Sequence, residues 1–306
     1  MTSTSTTTIF KGTEGSYLLP HHITEADRLQ RQHRHFAVAS DQAFFGFPLP
    51  PSAGRPLRVL DSGCADGVWL HDMAMRYPEH AWELHGVDIA SHLFNDSVDI
   101  DFRHHDIRQP FPSDWEWDGS FDIIHQRLLV WALKKDEWPP VVRNLQTLLK
   151  PGGTIQLVEC QWLRPEYWDT HPQQRLLASV QIWATEGNGM DIHLADKLEP
   201  LLKELGFQDV KTTRYPLPYG AKVKDPANRD TSAELWVESF RHLARLMGGV
   251  FAFCTLHKFT LTGVDEGIPG VAKTPEEYFA FLDRLVVEMK EKGYVPELRM
   301  ISGRKA

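Results

Sequence analysis

The stretch VLDSGCADG, residues Val59–Gly67, decides the fold that we predict for this chain. Its first residues are apolar and favour a short buried strand, and a helical pattern begins near Val68. Glycine at the turn between strand and helix lets the backbone approach a ligand closely, and a helix N-terminus attracts carboxylate or phosphate groups. The stretch therefore predicts a strand, a turn and a helix, with a ligand at the turn.

Short apolar runs alternate with helical stretches along the chain that follows. The runs are LRVLD at 57–61, WELHGVD at 82–88, IDFRH at 100–104, FDIIH at 121–125 and TIQLVEC at 154–160. This alternation is typical of a mostly parallel sheet with helices on both faces. A last strand, LRMISGRK at 298–305, is predicted beside Val210–Tyr215. We therefore predict an α/β fold with a Rossmann-like, doubly wound, seven-stranded and mostly parallel sheet.

The composition narrows the classes of partner and compartment. The 306 residues include 33 Lys and Arg against 41 Asp and Glu, a net charge of −8, which disfavours non-specific binding to nucleic acid or to an anionic membrane. Three cysteines without a CxxC pair indicate neither a disulfide framework nor a cysteine-based zinc site. The fifteen histidines show no HExxH spacing, so no metal is predicted. We expect a cytoplasmic protein with a small-molecule substrate, and a homo-oligomer remains open.

Two aspartates follow the second and third predicted strands. Asp88 lies 21 residues beyond Gly67, the spacing at which an acidic side chain can accept both hydroxyls of a ribose. Asp106, in Arg103–Ile107, would lie beside the base of a nucleoside. A nicotinamide dinucleotide is the alternative ligand. However, the glycine pattern Gly63-x-Ala65-x-Gly67 is tighter than the GxGxxG loop that binds a pyrophosphate, so a ligand without a pyrophosphate fits better.

With these residues in place, the chain resembles the class I S-adenosylmethionine-dependent methyltransferases over roughly residues 57–215 and the last strand. DSGCADG corresponds to the acid-x-Gly-x-Gly-x-Gly loop of that family, with Ala65 where a central glycine is usual. FDIIH corresponds to the fourth strand, and LKPGGT at 149–154 to the turn into the fifth. The resemblance implies S-adenosylmethionine as cofactor. The cofactor-binding residues predicted are Tyr17, Asp61, Gly63, Ala65, Gly67, Asp88, Asp106, Ile107 and His125.

A narrower resemblance concerns the N-terminus. EGSYLLP at 14–20, HQRLL at 125–129 and the closing Gly303–Lys305 are similar to the fungal secondary-metabolism methyltransferases that include the LaeA-type regulators. That resemblance implies an N-terminal lid that brings Tyr17, Arg28, Gln32 or His33 near the cofactor. His33 also lies on the apolar stripe of its helix, where a hydrogen-bonded core histidine is the alternative.

The segments that we predict follow from both resemblances. They are a flexible tail at 1–12, a helical lid at 13–50, the cofactor-binding methyltransferase core at 51–215, an insertion with helices that contribute to the substrate pocket at 216–297, and the last core strand at 298–306.

His125 is the predicted catalytic residue, because an oxygen or carbon acceptor must lose a proton and a histidine at the ligand edge of the sheet can take it. A hydrogen-bonded structural histidine is the alternative, and an amine or thiolate acceptor needs no base. We assign His33, Trp162, Trp183 and Trp236 to the acceptor. The predicted reaction is methyl transfer to O, N, S or C of a small natural product. A LaeA-like regulator acting through partners and an enzyme catalysing a non-methylating rearrangement remain as alternatives.

Overall fold

The computed structural model describes residues 23–51, 54–253 and 268–306. Seven strands are β1 Leu57–Ser62, β2 Trp82–Asp88, β3 Ile100–His104, β4 Phe121–Arg127, β5 Leu149–Gln161, β6 Gln208–Pro216 and β7 Glu297–Arg304. The helices are α1 Ile23–Ala39, α2 Val68–Arg76, α3 Trp138–Leu148, α4 Pro172–Glu186, α5 Leu198–Glu204, α6 Arg229–Phe253 and α7 Pro275–Lys292. Tyr17 and the predicted tail lie outside the described residues.

The strands form one sheet in the order β3-β2-β1-β4-β5-β7-β6. All neighbours from β3 to β5 are parallel, and β7 is antiparallel to both β5 and β6. The strand order reverses at β1 and β4, which puts the crevice for a ligand beyond their carboxyl ends. The predicted α/β, mostly parallel, seven-stranded sheet is confirmed.

Alternate residues of each central strand pack on opposite faces of this sheet. In β1, Val59 packs with Trp69 and Leu70 of α2, whereas Leu60 lies in the cluster that contains α3. Ile123 and Ile124 of β4 divide between the same two clusters, and all four strand residues are fully buried. This is the expected consequence of the period of two along a strand, and it makes β1 and β4 the buried centre of the sheet.

A second group of helices covers the ends of β5 and β7. Helices α4, α6 and α7 share one apolar cluster with Phe36 of α1, Val158 of β5 and Met300 of β7. Both α6 and α7 fall between β6 and β7 in the chain. Thr274 caps the N-terminus of α7, because Thr274 Oγ1 accepts a hydrogen bond from Glu277 N. Among the described helices, none combines the length and apolar character needed to cross a membrane.

One helix is shorter than its apolar spacing indicates. Leu194, Leu198, Leu201 and Leu205 predict a continuous helix, but residues 194–196 form a 3-10 turn and α5 covers only Leu198–Glu204. Asp191 explains this, because its carboxylate accepts from His193 N at 3.0 Å and pairs with Lys197, which ties the segment before α5 into a local turn.

Candidate functional site

A cavity of about 180 Å³ opens at the carboxyl ends of β1, β2 and β4 and beside the segment after β3. Of the predicted cofactor residues, seven line it: Asp61, Gly63, Ala65, Asp88, Asp106, Ile107 and His125. Gly67 lies at the start of α2 and is not part of the lining. Arg28 and Gln32 of α1 also line this cavity, which we call the cofactor cavity.

The loop after β1 passes through three left-handed residues. Gly63 and Gly67 each have a φ of 77°, and a Cβ at Gly67 would lie 2.5 Å from Phe102 Cζ, so glycine is needed at that position. Ala65 also has a positive φ, of 49°. A left-handed conformation costs an ordinary residue roughly 1–2 kcal/mol. The hydrogen bond from Ala65 N to Asp88 Oδ2, 2.9 Å long, offsets this strain.

Asp88 is fixed by the backbone on both sides of its carboxylate. Its Oδ2 accepts from Ala65 N, and its Oδ1 accepts from Ala90 N at 2.8 Å. A carboxylate oxygen has more than one lone pair, so both oxygens can accept further bonds from a ligand. The side chain therefore presents a preorientated acceptor to the cofactor cavity.

Asp106 is held by an arginine that the sequence analysis did not single out. Arg108 binds the Asp106 carboxylate through Nε at 2.8 Å and Nη2 at 2.7 Å. Partial burial opposes ionisation of Asp106, but the hydrogen bonds and charge of Arg108 outweigh it and lower the pKa of the carboxyl. Arg108 also lines the cavity, so this corner presents an ion pair.

His125 is buried between an acid and an indole. Its imidazole stacks on Trp69 with ring centroids 3.6 Å apart and planes 2° apart, and only 1% of the residue is exposed. Burial lowers the pKa of His125, although the nearby Asp61 opposes this shift. The neutral ring donates from Nδ1 to Asp61 Oδ1 at 2.8 Å, which leaves the lone pair on Nε2. An acid, an oriented histidine and a free lone pair are the parts of a general base.

His33 is placed behind the cofactor cavity rather than in its lining. It lines a smaller cavity of about 20 Å³ between α1 and the sheet, which His125 also borders. Arg127 Nη1 donates to His33 Nδ1 at 3.2 Å, and His33 Nε2 bonds Asp72 Oδ2 at 3.1 Å. Burial, reinforced by the charge of Arg127, lowers the pKa of His33 to about 4. The structure thus gives His33 the hydrogen-bonded environment that was the alternative to a lid position near the cofactor.

A second cavity, of about 70 Å³, adjoins the cofactor cavity, and we call it the aromatic chamber. Its lining is Trp131, Trp162, Gln181, Leu235, Trp236, Ser239 and Phe240. Trp131 lines both cavities. Trp162 and Trp236, two predicted acceptor residues, come together here, whereas the half-buried Trp183 packs against the apolar core and borders neither cavity.

A buried carboxyl supports the segment that forms one wall of the cofactor cavity. Glu159 Oε1 accepts from Leu129 N at 2.7 Å and from Val130 N at 3.1 Å, just after Leu128, whose φ is 57°. Burial raises the pKa of Glu159 to about 8 despite these hydrogen bonds. Sequence reasoning missed Glu159, because a single acid at the end of a strand carries no motif. Among the described residues no group of three or more His, Cys, Asp or Glu could hold a metal ion.

The chain matches a family model and is similar to several known proteins. Residues 30–212 match a family model described as a methyltransferase domain. Over 222 residues the chain is 29% identical to the secondary metabolism regulator LAE1 of Cochliobolus heterostrophus, covering 71% of this chain and 70% of the relative. It is 30% identical over 230 residues to the N-methyltransferase gliN of Aspergillus fumigatus, covering 72% and 77%. Among solved structures, mycolic acid cyclopropane synthase CmaA1 is similar, with a TM-score of 0.47 and 14% identity over 90% of this chain and 85% of that one.

Proposed function

The chain belongs to the methyltransferase-domain family and is an S-adenosylmethionine-dependent methyltransferase, and from this premise we propose that it methylates a small natural product. The observation that supports the proposal is the cofactor cavity, where the loop after β1, Asp88 and Asp106 meet. Three fungal relatives, sirN, tcpN and gliN, are named N-methyltransferases, and they favour nitrogen as the methylated atom.

The residues of the cavity fit S-adenosylmethionine. In the proposal, Asp88 accepts the ribose hydroxyls, Asp106 and Ile107 flank the adenine, and Asp61, Gly63 and Ala65 hold the amino-acid portion. Gly67 lies outside the lining and contributes through the turn into α2. Tyr17 completes this set as a prediction outside the described residues. When bound, the cofactor supplies an electrophilic methyl group on a sulfonium. The protein's contribution is to align the acceptor with that group and exclude water.

His125 and Asp61 form the proposed base for an acceptor that must lose a proton. Asp61 holds the Nδ1 proton, and Nε2 takes the proton of the acceptor. His125 stays neutral near pH 7, because burial lowers its pKa. A neutral amine already has a lone pair, so for such an acceptor the pair would mainly shape the cavity.

The experiment for the cofactor assignment is a titration of S-adenosylhomocysteine into Asp88→Asn. The amide keeps an acceptor but loses the charge, and a hydrogen bond to a charged group contributes about 1.5–3 kcal/mol, so the affinity should fall roughly 10-fold to 100-fold. Asp96→Asn is the matched control, because Asp96 is exposed and lies outside the cavity lining. Equal affinities of both folded variants would refute the assignment of Asp88.

A regulatory role is the second candidate, because one of the relatives is named a secondary metabolism regulator. Transfer of a labelled methyl group separates the two. Label in a small molecule from an extract supports the enzyme that we propose, whereas tight cofactor binding with label in no small molecule supports the regulator.

A further inference from the structure

Two residues that line the aromatic chamber each carry a buried polar atom without a hydrogen-bond partner in the described chain. Gln181 is 1% exposed and Trp162 is 8% exposed, and neither Gln181 Oε1 nor Trp162 Nε1 has a hydrogen-bond partner among the described residues. Buried polar groups are paired in the great majority of cases, and an unpaired one costs about 1–3 kcal/mol. Two such atoms on residues that line one cavity point to a ligand as their partner.

A second tryptophan of the lining, Trp236, differs from Trp162 because its indole N–H is paired within the protein. Trp236 Nε1 donates to Gln174 Oε1 at 2.9 Å, so its orientation is fixed within the protein. Its ring lies 5.8 Å from that of Trp162. Trp236 therefore supplies surface to a ligand, whereas Trp162 adds an unused N–H donor and Gln181 an unused acceptor.

The described lining of the chamber is uncharged. Its seven residues are four aromatic side chains, one leucine, one glutamine and one serine. Ser239 Oγ accepts from Arg28, which lines the cofactor cavity. Because no charged side chain of the described residues lines the chamber itself, a carboxylate, phosphate or ammonium group would lose its hydration there without an opposite charge in the lining.

We infer that the chamber binds the ring portion of the methyl acceptor, and that Gln181 and Trp162 select an uncharged ring compound that offers one hydrogen-bond donor and one acceptor. This inference rests on the proposed function. Trp131 lines both cavities, so a ring bound in the chamber lies next to the cofactor cavity. Gln181 and Trp162 thereby determine specificity, and they take no part in proton transfer.

The test uses the full chain saturated with S-adenosylhomocysteine and three probes: 2-quinolinone, which has both polar groups, naphthalene, which has neither, and quinoline-2-carboxylate, which is charged. Binding is measured by calorimetry. Gln181→Leu preserves volume and removes the acceptor, and Trp162→Phe removes the donor. Gln173→Leu is the matched control, because Gln173 also lies on α4 with an unpaired buried Oε1 but does not line the chamber.

We expect each of the first two substitutions to weaken 2-quinolinone binding about 10-fold and to change naphthalene binding less than 2-fold. Gln173→Leu should change neither, and the carboxylate should bind most weakly to the unmodified chain. Equal losses for both neutral probes, no loss at all, tight binding of the carboxylate, or no binding of 2-quinolinone would overturn the inference. The affinity for S-adenosylhomocysteine, titrated into each variant before the probes are added, reports separately on the proposed function.

Discussion

Ala65 occupies a position in the loop after β1 where the related methyltransferases usually have glycine. Where the related loop has a glycine, Ala65 keeps the left-handed backbone, with a φ of 49°. The strain is tolerated because Asp88, the residue proposed for the ribose, accepts the hydrogen bond of Ala65 N. One carboxylate thus shapes the loop and faces the cavity, so its removal affects both.

The prediction for His125 concerns proton transfer. His125→Asn keeps a donor for Asp61 and removes the lone pair of Nε2. With a hydroxyl or carbon acceptor we expect kcat to fall roughly 10²-fold to 10⁴-fold, the usual loss on removing a general base, while the affinity for S-adenosylhomocysteine changes little. Steady-state rates and calorimetry measure the two quantities. An amine or thiolate acceptor should show a far smaller loss.

His105→Asn is the matched control for this substitution. His105 lines the same cavity but on the side of Asp106, and partial burial lowers its pKa as well. Its substitution should affect cofactor affinity more than kcat. A hydroxyl acceptor methylated at the full rate by His125→Asn would show that His125 only packs against Trp69.

The residues that sequence reasoning found and missed differ in a physical way. Asp88 could be predicted, because its distance from the glycine turn and its place at a strand end are properties of the chain. Glu159 and Gln181 could not, because their importance comes from burial and from neighbours distant in sequence. For His33, the apolar stripe of its helix predicted a core position. Its hydrogen-bond partners Asp72 and Arg127 could not be predicted, because they are distant from it in sequence.

At the scale of elements, α1 joins the methyltransferase core to α6. Gln30 Nε2 donates to Asp66 Oδ2 at 2.9 Å in the loop after β1, and Arg31 pairs with Glu238 of α6 at 2.6 Å. Arg28 bonds Ser239 of α6 and lines the cofactor cavity. The lid predicted at 13–50 stays a prediction. These contacts connect α1 directly to the loop after β1 and to the cofactor cavity, so cofactor binding can stabilise α1.

We predict that S-adenosylhomocysteine slows amide hydrogen exchange in α1. A ligand held by the loop after β1 and by the cavity face of α1 stabilises their contact, and added stability reduces local opening. Mass spectrometry of peptides covering residues 26–39, with and without the ligand, measures the effect. Peptides of α5 are the internal reference, since α5 lies away from the cavity. Equal protection of α1 in both states would show that the helix is packed independently of the cofactor.

The length of α5 illustrates what limits prediction at this scale. The leucine spacing identified its buried face only in part: Leu194 and Leu198 are buried, Leu201 and Leu205 are half-buried, and the fully buried Leu202 lies outside the pattern. The start of the helix depended on the side-chain bonds of Asp191, which a periodic pattern does not contain. By contrast, the strands of the sheet were predicted well, because each is a compact apolar run bounded by turns.

At the scale of the whole molecule, buried ionisable groups make the free energy of unfolding depend on pH in two opposite ways. The pKa values of His33 and His35 are each lowered to about 4, chiefly by burial. The folded state then binds fewer protons than the unfolded state between about pH 4 and 6.5. The free energy of unfolding therefore decreases as the pH falls through that range. Glu159 acts in the other direction, because its pKa is raised to about 8 and the folded state retains a proton that the unfolded state has released.

Burial also lowers the pKa values of His85, His105 and His125, which adds to the effect of His33 and His35. We therefore predict that resistance to urea is greatest at about pH 7. Below it the histidines outweigh Glu159, and between about pH 7 and 8 the growing cost of ionising buried Glu159 lowers the unfolding midpoint. Glu159→Gln keeps an acceptor for Leu129 N and cannot ionise, so this decline should shrink, whereas Glu166→Gln, at an exposed site, should leave it unchanged. Circular dichroism at pH 5.5, 7 and 8 measures the midpoints. If Glu159→Gln declines as steeply as the unmodified chain, Glu159 is already ionised in the folded state, and the support of the segment after β4 must come from a charged carboxylate.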